Sequence, residues 1–406
     1  MTPAAASASA APTTTSQPHA TGTSASTAVG AAPRWRTPLR DPALPAGHHE
    51  RLLAIEERVL SGVRLDADDG LFLMRTPALH RVGRLANWVR EKRHGERAYF
   101  VVNRHLNPTN FCVYDCKFCA FYRRANDPTG YRMSLEDVRR VVRDEFEREL
   151  TEVHIVGGID PKLPYSYFID LLRVIKEERP DLHLKAWTMI EIEWFARISK
   201  KSIEEVLDDL LAAGLGSCPG GGVEVLSDRV HAALFPDKLS PAQWLDTARR
   251  VQRHGVRMNA TMLYGHIETD EELVAHMVAV RALQDETKGF MTFIPLAFHP
   301  AHTELAHLPG PTGLLDLRTI AVSRLLLDNI EHIKTYWVMQ GLGVAQVALR
   351  FGADDIDGTV VEEKITHDAG ATTPFGVTQG ELVRLIREAG RAPYQRDTTC
   401  SRATPV

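Results

Sequence analysis

The sequence has 406 residues, of which 44% are hydrophobic, and its formal net charge is −4. That length allows one large domain or two ordinary ones, and the slightly acidic balance argues against a nucleic-acid-binding protein. No apolar run reaches the roughly 18 residues that a membrane helix needs, and five cysteines in so long a chain predict reduced thiols in a cytoplasmic protein rather than a disulfide framework.

Residues 1–45 differ in composition from everything that follows. They are rich in Ala, Ser, Thr and Pro, show no apolar periodicity and carry their first arginine at Arg34. Because such a segment buries too little apolar surface to offset its ordering entropy, it is predicted to be a disordered tail. No charged and then apolar start typical of a secretory signal is present, and a transit peptide is the alternative. Residues 46–97 then read as two or three helices.

From residue 98 onward, β-rich apolar runs alternate with amphipathic runs. Strand–helix alternation predicts parallel pairing, and eight such units favour a closed (β/α)8 barrel of the TIM type over residues 98–395. A partial (β/α)6 barrel with a C-terminal extension is the alternative, and residues 396–406 are predicted to be a C-terminal tail. The strand-like runs are AYFVVNRHL (98–106), EVHIVGG (152–158), HLKAWT (183–188), GSCPGGG (216–222), RMNATMLYG (257–265), FMTFIPLAF (290–298), IKTYWVM (333–339) and DIDGTV (355–360).

Two helix signals are specific. The segment S-x-x-D from Ser134 to Asp137 is typical of a capping box and predicts that a helix begins there. Gly214 follows the run SIEEVLDDLLAA and is a predicted helix C-cap. A last helix is predicted near residues 381–389.

Three cysteines follow the first predicted strand, in NPTNFCVYDCKFCAFYRR (107–124). Cys112, Cys116 and Cys119 therefore lie at the strand end where barrel enzymes place their chemistry. A structural zinc site usually takes four ligands as two separated pairs, and Cys218 and Cys400 form no second pair. Three thiolates on an iron–sulfur cluster would leave one iron open to a chelating ligand. The pattern alone leaves the cluster, a zinc ion and inert thiols as readings.

The C-x-x-x-C-x-x-C spacing resembles the radical S-adenosylmethionine superfamily. That resemblance implies a [4Fe–4S] cluster on Cys112, Cys116 and Cys119, with S-adenosylmethionine chelating the open iron. It also implies a set of contacts with S-adenosylmethionine. These are Phe118 beside the adenine, Gly157 and Gly158 at the methionine amino group, Glu224 at a ribose hydroxyl, Arg229 at the methionine carboxylate, and Gly265 as a backbone platform for the adenine.

Longer segments narrow the resemblance to the aminodeoxyfutalosine synthases of the futalosine route to menaquinone. They include RHLNPTNFCVYDCKFCAFYR, LTEVHIVGGIDPKLPYSYF, HLKAWTMIEIEWFA, CPGGGVEVLSDRV, RALQDETKGFMTFIPLAF, IKTYWVMQGLGVAQVAL and DDIDGTVVEEKITHDAGA. Cyclic dehypoxanthinyl futalosine synthases and the tyrosine-dependent deazaflavin synthase component resemble the chain less well. The cyclases typically have Trp–Ser where this sequence has Leu296–Ala297.

The resemblance implies addition of a 5′-deoxyadenosyl radical to 3-[(1-carboxyvinyl)oxy]benzoate, followed by aryl migration and loss of a carboxylate, to give 6-amino-6-deoxyfutalosine. It implies a reduced flavodoxin or ferredoxin-type electron donor as a partner. Because that substrate is an anionic aryl enol ether, arginine forks are expected to pair its carboxylates. The candidates for substrate contact or proton handling are Arg124, Arg324, His154, His266 and, with some preference, His367.

Overall fold

The computed structural model describes residues 44–406. The predicted disordered tail, residues 1–45, lies outside the described residues except at its very end. Residues 46–97 contain three helices, α1 (His48–Leu60), α2 (Ala67–Arg75) and α3 (Leu79–His94). Helix α2 packs on two later helices and α3 on one of them, so this segment covers one side of the barrel.

Mostly parallel strands form the core of the fold in the described residues. Their bounds are β1 Arg97–Val101, β2 Asn103–Leu106, β3 Glu152–Ile155, β4 His183–Ala186, β5 Leu215–Ser217, β6 Met258–Tyr264, β7 Phe290–Ala297, β8 His332–Ile333, β9 Asp355–Gly358, β10 Ala392–Arg396 and β11 Ala403–Pro405. Only β11 runs antiparallel to its partner among the named strand pairs of residues 44–406.

The strands close into a ring. One sheet has the order β2-β3-β4-β5 and another β6-β7-β8, and the parallel bridge Cys218↔Met258 joins them. The bridge Lys334↔Asp355 leads from β8 to β9, which pairs with β1. Strands β1 and β2 are two halves of one interrupted strand. When they are counted as one, the ring formed by residues 44–406 consists of eight strands. The predicted (β/α)8 barrel is confirmed.

The remaining helices surround this ring. They are α4 Leu135–Glu145, α5 Tyr165–Glu178, α6 Met189–Ser199, α7 Ile203–Ala212, α8 Asp228–Leu234, α9 Pro241–Arg253, α10 Asp270–Thr287, α11 Gly313–Leu326, α12 Trp337–Gln340, α13 Leu342–Ala348, α14 Ile365–Asp368 and α15 Gln379–Glu388. No helix of the described residues is long and apolar enough to cross a membrane.

Local signals explain several helix boundaries. Ser134 and Asp137 form the predicted capping box, each side chain bonding the other's backbone N–H, and α4 begins there. Val138 and Val142 lie one turn apart on α4 and are both buried, so one face of the helix packs inward. Gly214, the predicted C-cap, follows α7 with a φ of +107°, a conformation that favours glycine.

Three predicted elements differ in the structure. Helix α6 follows β4 directly, where the sequence prediction had no helix before residue 202. The run 333–339 contributes only the end of β8, because the chain turns into α12 at Trp337. Residues 396–406, predicted to be a C-terminal tail, include the short strand β11, which pairs antiparallel with β10.

Candidate active site

A cavity of about 280 Å³ opens at the carboxyl ends of the barrel strands. Loop residues line its mouth, including Phe118 and Cys119 of the cysteine loop, and strand side chains line its floor. The wall between them is largely apolar, as is usual for small-molecule sites, and includes Val156, Leu263, Ile294, Leu296 and Phe298.

The cysteine loop leaves β2 and is shaped by backbone hydrogen bonds. The Cys112 N–H donates to the Arg123 carbonyl at 3.0 Å, and the Cys119 N–H donates to the Cys116 carbonyl at 2.9 Å. The Ile159 N–H, on the loop after β3, donates to Cys112 Sγ at 3.4 Å. Burial raises the pKa of all three thiols, that of Cys116 to about 12, so they remain protonated at neutral pH until a cation binds.

The three cysteines suit an iron–sulfur cluster by their chemistry. Cys112, Cys116 and Cys119 lie on one loop, and Cys119 lines the cavity. Cysteine thiolates are the usual protein ligands of iron–sulfur clusters, so this donor set fits such a cluster.

At Gly157 and Gly158, the loop after β3 packs closely against the cysteine loop. The Gly158 N–H donates to the Thr109 carbonyl at 2.8 Å. A Cβ at Gly157 would come within 2.8 Å of the same oxygen, and a Cβ at Gly158 would collide with the Phe111 carbonyl. Neither glycine lines the cavity. In this structure the close approach of two backbones is what requires glycine here.

Glu224 and Phe118, both expected near S-adenosylmethionine, meet at the mouth of the cavity. The Lys238 Nζ lies 3.0 Å from Glu224 Oε1. The same ammonium lies 5.4 Å from the centre of the Phe118 ring and 5.2 Å from that of Phe235. Glu224 has a φ of 54°, so its backbone is held in a conformation unusual for a side chain with a Cβ.

Two further expected contacts lie outside the cavity lining. Arg229 is half-exposed, and its Nη2 lies 2.6 Å from a carboxylate oxygen of Glu272. Because Glu272 holds the guanidinium, Arg229 does not reach the cavity in this structure. Gly265 follows β6 with a φ of +92°, and its N–H donates to Glu268 Oε1 at 2.6 Å.

The two candidate arginines for the substrate carboxylates also lie away from the cavity. The structure corrects the expectation for Arg324, which is fully buried near the opposite end of the barrel. Its guanidinium is hydrogen-bonded to the Asp354 carboxylate and, at 2.8 Å, to the Gly352 carbonyl. Arg124 is half-exposed, and its Nη2 lies 2.6 Å from Asp115 Oδ2.

The candidate histidines have different surroundings. His154 lines the cavity, whereas His266 and His367 do not. His266 Nδ1 lies 3.0 Å from a Glu268 oxygen. His367 Nδ1 lies 3.1 Å from Glu363 Oε2, and this hydrogen bond raises the pKa of His367. Since Glu363 lines the cavity, His367 can orient a carboxylate there but does not itself contact the cavity.

The cavity floor is a layer of polar side chains from adjacent strands. His105 pairs in register with His154, and His154 pairs with Lys185. The two imidazole rings stack with their centres 4.5 Å apart. Burial lowers the pKa of both histidines, so they are neutral at pH 7. His105 Nδ1 is buried and has no hydrogen-bond partner among the described residues.

Two buried lysines complete the floor. The Lys185 Nζ lies 2.6 Å from Glu152 Oε1, and the Lys334 Nζ lies 3.0 Å from Asp357 Oδ1. Sequence reasoning missed both lysines. The only sign of them in the sequence is that each is a lysine within an otherwise apolar strand run. The strand register of the barrel is needed to show that these lysines face the cavity.

Comparisons with known proteins agree with this geometry. The Radical SAM superfamily matches residues 106–280, and the CofH/MqnC C-terminal region matches residues 287–404. An aminodeoxyfutalosine synthase from Thermus thermophilus is 46% identical over 86% of this chain and 94% of its own length. A 5-amino-6-(D-ribitylamino)uracil–L-tyrosine 4-hydroxyphenyl transferase from Methanopyrus kandleri is 37% identical over 85% of this chain and 94% of its own.

A third relative and one solved structure are also similar to this chain. A cyclic dehypoxanthine futalosine synthase from Halalkalibacterium halodurans is 36% identical over 85% of this chain and 93% of its own. The crystal structure of methylornithine synthase covers 84% of this chain and 97% of its own, with a TM-score of 0.65 at 17% identity, which supports the fold alone. The chain is therefore a radical S-adenosylmethionine enzyme, with the [4Fe–4S] cluster and S-adenosylmethionine that this superfamily uses, and it belongs to the family that contains the aminodeoxyfutalosine synthases.

Proposed function

We propose that this enzyme is an aminodeoxyfutalosine synthase. It joins the 5′-deoxyadenosyl group of S-adenosylmethionine to 3-[(1-carboxyvinyl)oxy]benzoate, and 6-amino-6-deoxyfutalosine and bicarbonate are the products. The observation that carries the proposal is the higher identity to the aminodeoxyfutalosine synthase than to the relatives with the other two activities. Leu296, a cavity residue, supports it, since the cyclases typically have a larger tryptophan there.

In this proposal Cys112, Cys116 and Cys119 hold the [4Fe–4S] cluster. When bound, the cluster supplies the electron that cleaves S-adenosylmethionine to the 5′-deoxyadenosyl radical, and a reduced flavodoxin or ferredoxin-type protein is the source of that electron. Phe118 lies against the nucleoside, and Glu224 accepts a hydrogen bond from a ribose hydroxyl. Lys238, 3.0 Å from Glu224, fixes the direction of that carboxylate.

The cavity floor receives the substrate's carboxylates. Lys185 and Lys334 provide positive charge, and the His105 side chain, which also lines the cavity, provides one more polar contact. Each ammonium group is already paired with a carboxylate of the protein. The two lysines therefore position the substrate's carboxylates more than they increase the net electrostatic attraction for them. The apolar wall keeps water and stray hydrogen donors from the reacting carbon, which is what a radical addition requires of a protein.

The experiment that tests the activity follows the adenosyl group. Cluster-loaded enzyme is incubated without oxygen with reductant, adenine-labelled S-adenosylmethionine and the carboxyvinyloxybenzoate, and products are identified by mass spectrometry. The label is expected in a larger product that contains the aryl group, with free 5′-deoxyadenosine as a minor leak.

Parallel incubations test the two related activities. One contains dehypoxanthine futalosine, and the other contains tyrosine with 5-amino-6-(D-ribitylamino)uracil. If either is turned over and the carboxyvinyloxybenzoate is not, the synthase proposal is wrong. A cyclase would leave the label in 5′-deoxyadenosine alone, because its radical abstracts hydrogen rather than adding to an alkene.

A further inference from the structure

The loop between β9 and α15 closes on itself beside the candidate active site. We call its residues 361–376 the cap segment, and they include the short helix α14. The Glu362 N–H donates to the Phe375 carbonyl at 2.9 Å, so the two ends of the segment are joined. Compact loops with adjacent ends often carry function. Four residues of the cap segment line the active-site cavity, namely Glu363, Ile365, Thr366 and Ala369.

The cap segment also contacts the loops around the cavity mouth. Asp368 Oδ2 lies 3.8 Å from Arg123 Nη2 on the cysteine loop. The Asp368 carbonyl oxygen lies 2.9 Å from His302 Nδ1, on the loop after β7. Thr373 Oγ1 donates to the Val338 carbonyl of α12 at 2.9 Å. The cap segment is therefore anchored on the loops after β2, β7 and β8, at the end of the barrel where the cavity opens.

His367 joins the two arms of the cap segment. On one arm, its Nδ1 lies 2.6 Å from the Glu363 carbonyl oxygen and 3.1 Å from Glu363 Oε2. On the other arm, its Nε2 lies 2.8 Å from the Thr373 carbonyl oxygen. Phe375 stacks on the imidazole, with the ring centres 4.1 Å apart. The His367 side chain is only 6% exposed, so protein groups are its main partners.

These partners require a proton on both ring nitrogens of His367. A carbonyl oxygen accepts hydrogen bonds and cannot donate them, and one such oxygen faces each nitrogen. A neutral imidazole has a single N–H, so its other nitrogen would direct a lone pair at an acceptor. The imidazolium donates to both oxygens. The hydrogen bond to Glu363 also raises the pKa of His367 above its usual value of 6.5, in agreement with this geometry.

Other titratable groups adjoin this contact. The Thr366 N–H donates to both carboxylate oxygens of Glu363, at 3.0 and 3.1 Å, which favours the ionised form of Glu363. The remaining groups that face Glu363 or Asp368 are Lys364 on the cap segment, His105 of β2, Arg123 and Tyr131 of the loop after β2, His302 after β7, and Tyr336 before α12.

We propose that His367 is a positioning residue whose imidazolium holds the cap segment closed over bound S-adenosylmethionine and turns the Glu363 carboxylate into the cavity. The cofactor carries a sulfonium cation, which a carboxylate in the cavity wall attracts. Loss of the His367 proton leaves a carbonyl oxygen facing a lone pair, and the two arms separate. Because the pKa of His367 is raised, the closed cap is present at low pH and is lost as pH rises through that raised value, above 6.5.

The test uses the full-length, cluster-loaded enzyme without oxygen and without reductant, so S-adenosylmethionine binds and is not cleaved. Its result does not depend on the proposed synthase reaction. Hydrogen–deuterium exchange of cap peptides is measured from pH 6 to 9 and corrected for the intrinsic pH dependence of exchange. Protection is expected to fall with a midpoint above 6.5, while peptides of α4 stay protected. The Kd of S-adenosylmethionine, measured by equilibrium dialysis, is expected to rise about tenfold over the same range, as loss of one charge-assisted hydrogen bond implies.

Three variants assign the pH dependence. His367→Gln is expected to lose cap protection already at pH 6 and to show no midpoint, because its amide cannot donate to both carbonyl oxygens. Glu363→Gln is expected to move the midpoint down toward 6.5, because the imidazolium loses its carboxylate partner. His302→Gln is the matched control and is expected to keep the wild-type midpoint, since His302 contacts the cap segment through one nitrogen.

Four results would each overturn the proposal. They are wild-type cap protection that does not change with pH, full protection in His367→Gln at pH 6, an unchanged midpoint in Glu363→Gln, and a Kd that does not follow cap protection. The wild-type pH profile decides the first and the last of these even if a variant fails to fold.

Discussion

Cys112, Cys116 and Cys119 share one loop but have different surroundings, since only Cys119 lines the active-site cavity and Cys116 is buried. Burial raises the pKa of each of these thiols, so all three are neutral in the absence of a cluster. The thiols must lose their protons when a cluster binds.

The first prediction concerns these cysteines. Replacing any one of them by alanine is expected to remove most of the roughly four irons per chain and the broad absorbance near 400 nm that sulfur-to-iron charge transfer gives. Cleavage of S-adenosylmethionine is expected to stop. Cys218→Ala is the matched control and is expected to keep its iron, because Cys218 is not on the loop. Full iron content in Cys116→Ala would show that this cysteine is not a ligand.

A second prediction contrasts two arginines. Arg324→Gln leaves the buried Asp354 carboxylate without its guanidinium partner, and loss of one partner of a buried pair typically costs on the order of 3–5 kcal/mol of unfolding free energy. Arg124→Gln breaks an exposed pair with Asp115, which is typically worth about 0–1 kcal/mol. Urea unfolding of the two variants measures both values. Equal losses would contradict the burial argument.

At the scale of elements, the loop after β3 acts as a support for the cysteine loop. Two backbone hydrogen bonds join the loops. The Val113 N–H of the cysteine loop donates to the Ile159 carbonyl at 2.9 Å, and the Gly158 N–H donates back to the cysteine loop. Two loops from neighbouring strands can approach this closely only where no Cβ intervenes. The geometry of the metal-binding loop thus depends on the next β/α unit along the chain.

The third prediction tests this support. Gly158→Ala places a Cβ against the backbone of Phe111, which cannot move aside as a flexible side chain would. Iron content is expected to fall while far-ultraviolet circular dichroism stays near that of the wild type. Gly380→Ala, on α15 with only the Thr378 Oγ1 at 3.9 Å, is the control and is expected to keep both. Unchanged iron in Gly158→Ala would show that the two loops are not coupled.

At the scale of the whole molecule, the C-terminal strands hold the first strand of the barrel. Strand β10 pairs in parallel with β1 over residues 97–100. Arg396, at its end, is buried and pairs with Asp355 of β9, so the last strand also neutralises a charge inside the barrel wall. The C-terminus is therefore part of the fold.

The fourth prediction follows by truncation. Removing residues 392–406 takes away β10, β11 and the partner of Asp355, and the thermal midpoint is expected to fall by many degrees. Removing only residues 403–406 takes away the exposed β11 and is expected to have little effect. Differential scanning calorimetry compares the two truncations. Equal midpoints would mean that β10 adds no stability.

Much of this protein follows from local sequence signals. The alternation of apolar runs predicted the (β/α)8 barrel, and the Ser134–Asp137 capping box predicted the start of α4. The cysteine pattern predicted a thiol-rich loop after the first strand, and the resemblance to the radical S-adenosylmethionine superfamily implied the cluster. Each of these depends on residues close together in the chain, where propensity and side-chain reach act directly. Helix α6 was missed because its apolar residues are not confined to one face: Met189, Ile190, Ile192, Trp194 and Phe195 are all buried.

Other features were decided only by the tertiary structure. The layer formed by His105, His154 and Lys185 exists because three strands pair in one register, and a shift of one residue would turn these side chains to the other face of the wall. Arg324 looked like a carboxylate ligand in sequence, yet helix α11 buries it beside Asp354, more than 25 residues further along the chain. The sequence by itself determined the alternation of strands and helices and the position of the cysteines after the first strand. The closure of the barrel decided which distant side chains share a cavity, because that depends on strand register and burial, which no short stretch of sequence contains.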